Sequence, residues 1–401
     1  MISLGDAQAR VHAVVAALPL VEVVVGEALG LVIAEQVVAP EAIPPFANTA
    51  MDGFAVRFAD LVNASDDAPV ELPVVGTVAA GAVAERPLAA GEAMRIMTGA
   101  PIPEGADAVI MVELTESDDS TVRCIAAVPE GNHIRPAGDD LQAGTVVFEP
   151  GTTITPAHIG VLSSVGRTHV AVHRRPRVGV FSTGDELVVG PVSLEPGQIR
   201  DSNRPQLLAL VAEAGAEAVD LGVLRDDRDE IDAALRAAVD GCDALITSGG
   251  VSMGDFDFVK AVLAELGDLT WMQVAIKPAK PLAFGVLLGT PIFGLPGNPV
   301  SSAVSFELFA RPAIRKMMGR PDTERTHEWA IADEVLARSR DGKTHFQRAV
   351  LSQESDGWHV RSAGGQGSHQ LAALAAANGL AILPDGDDVN VGDRVRVMLL
   401  S

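Results

Sequence analysis

Cysteine is almost missing from this 401-residue sequence: only Cys124 and Cys242 occur, far apart and without CxxC spacing. That excludes a cysteine-built zinc site and a disulfide framework. Basic residues are also scarce, 30 Lys and Arg against 53 Asp and Glu, for a formal charge of −23. Such a surface repels nucleic acid and anionic membranes, so neither is an expected partner, and an anionic substrate has to be drawn in by a local basic patch. No apolar run approaches the roughly 18 residues of a membrane span. No basic and apolar leader precedes Ser3, so a cytoplasmic chain is expected. The nucleotide P-loop GxxxxGK[ST] and the GxSxG elbow of acyl-transfer enzymes do not occur.

What is present describes a globular protein: 48% hydrophobic and 21% charged residues, in a chain too long for one core, so two to four domains are expected. The stretch CDALITSGGVSMGDFDFVK, residues 242 to 260, organises the rest. It predicts a buried strand over Ala244 to Thr247, then a turn at Ser248, Gly249 and Gly250 that lets backbone N–H groups approach a ligand. Asp255 and Asp257 follow at a helix start. Carboxylates after a glycine turn fall at the carboxyl edge of a sheet, where open α/β sheets bind ligands.

Along the chain, Ser3 to Leu18 has helical periodicity with Ser3 as N-cap, and Gly26 to Glu35 reads as a short helix. Prolines then place a boundary near Ile43. Residues 70 to 113 are short β-runs cut by Gly and Pro, a small barrel or sandwich. Asp52 and Gly53 have the chemistry of an ordinary turn, and Arg95 and Thr98 lie in a loop beside Gly99. Arg135 precedes Asp139 and Asp140, carboxylates that raise each other's pKa unless a cation sits between them. A helix from Pro156 is expected to pack back on the N-terminal helix, completing a domain that residues 44 to 141 interrupt.

From Arg177 strands alternate with helices, implying right-handed crossovers and a parallel sheet covered on both faces. Ser202 or Asn203 can cap the helix through Val211, and Asp226 or Asp227 the next one. Asn298 is a good N-cap with Pro299 at the first helical position, which leaves Gly297 and Asn298 to present N–H donors. Beyond His327 short strands predict a compact β-domain of about 75 residues, in which His345, His359 and His369 lack metal-ligand spacing and read as structural. Carboxylates recur after successive strands: Asp185 with Glu186, Asp226 with Asp227, Asp255 with Asp257. Each pair alone is more often a cap or solvated turn. Converging at one sheet edge, they would suit a hard cation such as Mg²⁺, with the glycine turns, Lys277 and Lys280 holding phosphate. A phosphate-bearing ligand plus Mg²⁺ is the expectation these residues support; they do not name the ligand.

Six motifs, PPFANTAMDGFAV, RIMTGAPIPEGADAVI, VGVFSTGDEL, SGGVSMGDFD, KPAKP and GLPGNPVS, occur here in the order seen in molybdopterin molybdenumtransferases, relatives of the gephyrin E domain, and the chain resembles that family over its whole length. The resemblance implies a homodimer of four-domain subunits: 1–43 with 142–174 as a discontinuous domain, 44–141 as a small β-rich insertion, 175–322 as an α/β domain like the molybdopterin adenylyltransferases, and 323–401 as a β-barrel-like domain. It implies insertion of molybdenum from molybdate into the dithiolene of adenylylated molybdopterin, with Mg²⁺-dependent release of AMP. Adenylylation of molybdopterin, or a non-catalytic scaffold role, are the alternatives.

Carried onto this chain, the resemblance implies activity-linked roles for Asp52, Thr98, Asp140, Glu186, Asp226 and Asp257, with Glu186, Asp226 and Asp257 handling metal and pterin. Ser248, Gly249, Gly250, Ser252, Lys277, Lys280, Pro296, Gly297, Asn298 and Pro299 would bind substrate. Asp52, Thr98 and Asp140 would act from the partner subunit. The chain departs from the family with Ala279 in KPAK where KPGK is usual, Gln273 where some members carry a lysine, Phe54 in place of Tyr, and Ala47 in place of Asp.

Overall fold

A computed structural model describes residues 1–118, 120–249 and 258–400. At its centre is a six-stranded sheet ordered Glu217–Leu224, Arg177–Thr183, Ala244–Ser248, Thr290–Leu295, Pro281–Leu287, Gly267–Gln273. The first four strands are parallel. The last two pairings are antiparallel, because short connections replace helical crossovers there, so Pro281–Leu287 alone of the six runs against the others. The sheet is therefore mixed and rich in parallel pairings, like the parallel-rich α/β domain expected from the sequence.

Near-continuous apolar strands are needed because both faces are covered. Val178, Val180, Ala244, Ile246, Phe293 and Leu295 point into one core. The alternate residues Phe181, Leu245 and Ile292 point into the other. Leu207 and Val211 of helix Asn203–Glu213 close the first face, and Ile231, Leu235, Val262 and Leu263 of helices Arg228–Val239 and Phe258–Leu266 close the second.

The N-terminal helix Leu4–Val14 is capped by Ser3, whose hydroxyl accepts from the Asp6 amide at 3.1 Å. It does not pack on helix Pro156–Ser164. Its buried residues Ala7 and Val11, with Val15 beyond its end, join the α/β core, while Leu162 packs with Val25, Ile33 and Val172 in a separate core. The apolar stripe of a helix states that it is buried, not against what. The expected helix over 26 to 35 is also not formed: Val25–Glu27 is a single 3-10 turn, and Val32–Ile33 pairs with the His169–His173 strand. β-branched Val32 and Ile33 favour the pleated surface.

Residues 53 to 124 build a second six-stranded sheet with a core on each face, Phe54 and Val56 to one side and Ala55 to the other. At the C-terminal end Thr344–Glu354, Gly357–Ser362, His327–Ala332, Arg394–Leu399 and Gly379–Leu383 close into a five-stranded barrel through the pairing of the first with the last. Ile276–Lys277 adds to it as a short parallel strand beside Thr344 and His345, and Phe346, Leu380 and Met398 of this region belong to the α/β core. Among the described residues no helix is long and apolar enough to cross a membrane.

Candidate functional site at the sheet edge

The parallel register brings the ends of four strands to one rim. Asp185 and Glu186 follow Thr183, Asp226 and Asp227 follow Leu224, Gly249 follows Ser248, and Pro296 to Pro299 follow Leu295. A cleft of about 100 Å³ opens there, bordered by Ser182, Thr183, Glu186, Asn203, Ser248, Gly249, Gly297 and Pro299. Gly249 is required: its φ is +97°, and a Cβ would lie 3.0 Å from the Thr183 carbonyl oxygen.

The carboxylates separate by role. Asp227 is the N-cap of helix Arg228–Val239, accepting from the Glu230 amide at 2.9 Å. Asp226 points away from that duty. Its amide donates to Asp185 Oδ1 at 3.4 Å. Partial desolvation, then the negative charges of Asp185 and Glu186, raise its carboxyl above the ordinary value. Glu186 and Asp226, both predicted from the sequence, thus sit in one negative cluster, and neither is in an ion pair among the described residues. Gly250, Ser252, Asp255 and Asp257 lie outside the described residues. Among those described, no three His, Cys, Asp or Glu side chains gather closely enough to hold a metal ion.

The capping expectations for the flanking helices need correction. Ser202 makes no side-chain cap bond. Asp201 does that work, its Oδ1 accepting from the Arg204 amide at 3.1 Å and its Oδ2 from Arg204 Nε at 2.9 Å. Asn203 bridges instead to Ser248 Oγ at 2.7 Å and the Gly297 carbonyl at 2.6 Å. Asn298 starts the Pro299–Ser305 helix without a side-chain cap bond.

The KPAK loop reaches the same rim. Ala283 pairs with Gly294, so Pro281 stands level with the end of the Thr290–Leu295 strand, and Lys280 just before it. Both lysines are exposed, and among the described residues neither is in an ion pair. Ala279 is buried with φ +79°. The left-handed conformation costs an L-residue about 1–2 kcal/mol. Burying its methyl returns about 0.8 kcal/mol, and glycine at the same place would forfeit about 0.5–1 kcal/mol of backbone entropy. Alanine here is therefore close to neutral for stability.

Lys277 lines a second cavity of about 290 Å³ with Arg338, His345, Gln347, Arg348 and Gln366 of the barrel. Arg338 is paired with Asp385 at 2.8 Å and His345 with Asp341 at 3.0 Å. Arg348 is 1% exposed and in no ion pair among the described residues: its guanidinium donates to the Gly365 and Gly367 carbonyls, at 2.8 and 3.1 Å, and its Nε has no partner among them. Burial lowers its pKa from the ordinary value. A buried cation without a counter-anion is costly, and an incoming oxyanion relieves that cost. Sequence reasoning missed Arg348. The available signal was its place in THFQRAVLSQ, where period-2 alternation puts it on the same face as Phe346.

In the inserted sheet Asp52 and Thr98 do meet. The Thr98 amide and hydroxyl both donate to Asp52 Oδ1 at 2.6 Å. The hydroxyl contact first, then the amide, with the nearby charge of Arg95 adding, hold this carboxyl below its ordinary value. Arg95 stacks over the buried Phe54 ring at 5.5 Å. Asp140 is exposed, and Arg135 does not bridge it to Asp139 among the described residues. No hydrogen bond or ion pair of the described residues joins Asp52, Thr98 or Asp140 to the α/β rim.

Fold and site together define a multidomain α/β protein with an acidic cleft at the carboxyl edge of its sheet and a basic cavity where that sheet meets a small barrel. Residues 2–166 match the family model described as MoeA N-terminal region (domain I and II), residues 179–316 the probable molybdopterin binding domain, and residues 337–400 the MoeA C-terminal region (domain IV). The chain is 42% identical over 379 residues to Molybdopterin molybdenumtransferase 2 of Mycobacterium tuberculosis, covering 92% of this chain and 93% of the relative. It is 38% identical over 374 residues to Molybdopterin molybdenumtransferase of Haemophilus influenzae, covering 92% and 91%. The crystal structure of the molybdopterin biosynthesis moea protein from Pyrococcus horikosii superposes with a TM-score of 0.83 at 32% identity, over 100% of this chain and 99% of that one. The chain belongs to the molybdopterin molybdenumtransferase family.

Proposed function

We propose that this enzyme of molybdenum cofactor biosynthesis inserts molybdenum from molybdate into the dithiolene of adenylylated molybdopterin, with Mg²⁺-dependent release of AMP. The observation that carries the reading is the gathering of Asp185, Glu186 and Asp226 after two neighbouring parallel strands at the rim, close enough that the Asp226 amide donates to Asp185 Oδ1 at 3.4 Å. Hard oxygen donors that repel one another and lack a basic partner fit a divalent cation. Glu186 and Asp226 would hold Mg²⁺, with Asp257 as the third donor implied by the family motif. The ion would supply neutralisation of phosphate charge.

The protein's own groups do the rest. Lys280 at the rim places positive charge beside the phosphate, and Lys277 with Arg348 receives the molybdate oxyanion in the basic cavity. The dithiolene sulfurs arrive with the substrate, consistent with only two cysteines in the chain. Asp52, held ionised by Thr98, presents an oriented acceptor, and in a homodimer it reaches the rim of the other subunit together with Thr98 and Asp140.

The test is AMP release from adenylylated molybdopterin. Release is expected to require both molybdate and Mg²⁺, and to fall about 100-fold or more in Glu186→Ala. Molybdate-independent release, or conversion of ATP and unmodified molybdopterin to the adenylylated form, would overturn the assignment.

A further inference from the structure

Among the described residues that border the rim cleft, Arg200 is the one cation. It ends the short strand Ile199–Arg200, which runs parallel to Leu187–Val188 directly after Glu186. Residues 250–257, which follow Gly249, add no Lys or Arg in sequence. Arg200 is exposed, so a ligand entering the cleft can reach it.

Its partners are neutral. The guanidinium donates to the Gly190 carbonyl and, through Nη2 at 2.6 Å, to the Val192 carbonyl. Both carbonyls lie in the 189–198 loop, none of whose residues is buried. The adjacent carboxylate, Asp201, is committed elsewhere: it accepts from Arg204 Nε at 2.9 Å and from the Ser182 hydroxyl at 3.2 Å. Arg200 is therefore in no ion pair among the described residues, although acidic residues outnumber basic ones by 53 to 30.

The arginine fork carries more N–H donors than these two contacts use. Two carbonyls on one loop fix the plane of the guanidinium, which lowers the ordering cost of binding a further acceptor. Hydrogen bonds to an ionised acceptor are roughly twice as strong as those to a neutral one, and the fork matches a pair of phosphate oxygens. Glu186, on the same border, repels such an anion, so a preference for it has to come from Arg200.

Resting on the reading that this rim holds adenylylated molybdopterin, we propose that Arg200 binds a phosphate of the bound ligand and makes the cleft selective for phosphorylated ligands. The Gly190 and Val192 carbonyls orient it for that contact.

Calorimetric titration of the full-length protein without Mg²⁺ tests this with two ligand pairs: AMP against adenosine, and 6-hydroxymethylpterin monophosphate against 6-hydroxymethylpterin. The wild-type protein is expected to favour the phosphorylated member of one pair about tenfold or more, and the pair that is discriminated shows which half of the substrate supplies the phosphate. Arg200→Ala is expected to lower that ratio about tenfold while changing affinity for the unphosphorylated member less than about twofold. Lys280 is present in both proteins, so the change in ratio reports Arg200. A ratio that persists in Arg200→Ala, or an equal loss of both members, overturns the inference and leaves the functional reading standing. If the wild-type protein binds neither phosphorylated ligand, the inference and the reading of the rim fall together.

Discussion

Asp226 shows what crowding carboxylates at the rim costs in stability. Its carboxyl is raised in the folded state, by desolvation first and then by Asp185 and Glu186. For an acid whose folded pKa lies above its unfolded one, the native state loses stability as pH rises from the ordinary value of 3.8 through the folded pKa, and the deficit persists at neutral pH. Asp226→Asn removes the charge that is repelled. We expect a higher melting temperature than wild type at pH 7, a difference that vanishes below about pH 4, and greatly reduced AMP release. Adding Mg²⁺ should raise the wild-type melting temperature more than that of the variant. A variant less stable than wild type at pH 7 would show that the cluster is not a site of repulsion.

Individual residues also mark the reach of sequence reasoning. The placing of Glu186, Asp226, Ser248, Gly249 and Gly297 at the rim was legible, because residues that follow apolar strands of a parallel sheet gather at its carboxyl edge. Asn203 and Arg348 were not, because an Asn at a helix start reads as a cap and an Arg in a strand as a surface charge. Their unpaired atoms exist only once Asp201 takes over the cap and the barrel wall buries the guanidinium.

At the scale of elements, Gly53 holds the Asp52 loop in register. Gly53 pairs with Ile96 on one side and Met111 on the other, and a Cβ there would come 2.0 Å from the Ile110 carbonyl oxygen. That clash is with backbone and cannot be relieved by a rotamer change. Gly53→Ala is expected to destabilise the inserted sheet by about 3 kcal/mol or more, and to break the Thr98–Asp52 contact as the strand shifts. Hydrogen exchange of residues 53 to 111 reads this; unchanged protection would refute it. Strand and helix periodicities were largely legible at this scale. The segment over 26 to 35 was the exception, since a short apolar run has no length to separate helix from strand.

For the whole molecule, the α/β domain and the barrel share one core, through Phe346, Leu380 and Met398, whereas the inserted sheet keeps its own. Arg325, in the connection to the barrel, reinforces the union. It binds Glu307 with Nε at 2.9 Å and Nη2 at 3.0 Å, and pairs with Glu213 at 2.8 Å. Glu307 sits 4% exposed in the π-turn Phe306–Ala310. Arg325→Ala leaves the buried Glu307 carboxylate with only the longer 3.7 Å contact to Arg311 Nε, and a loss of about 3 kcal/mol is expected, with the barrel and α/β domain melting separately in calorimetry. A single transition at the wild-type temperature would refute the coupling.

By itself the sequence determined the alternation of strand and helix around residues 177 to 300, the β-rich flanks, and the positions where carboxylates and glycine turns end strands. Each of these follows from local periodicity and turn chemistry. Only the tertiary structure decided that the N-terminal helix joins the α/β core, that one strand of the sheet runs against the other five, and that Lys277 and Arg348 line one cavity between the sheet and the barrel. Burial of an apolar stripe is non-directional, so the stripe alone cannot choose its partner; that choice belongs to packing among segments hundreds of residues apart.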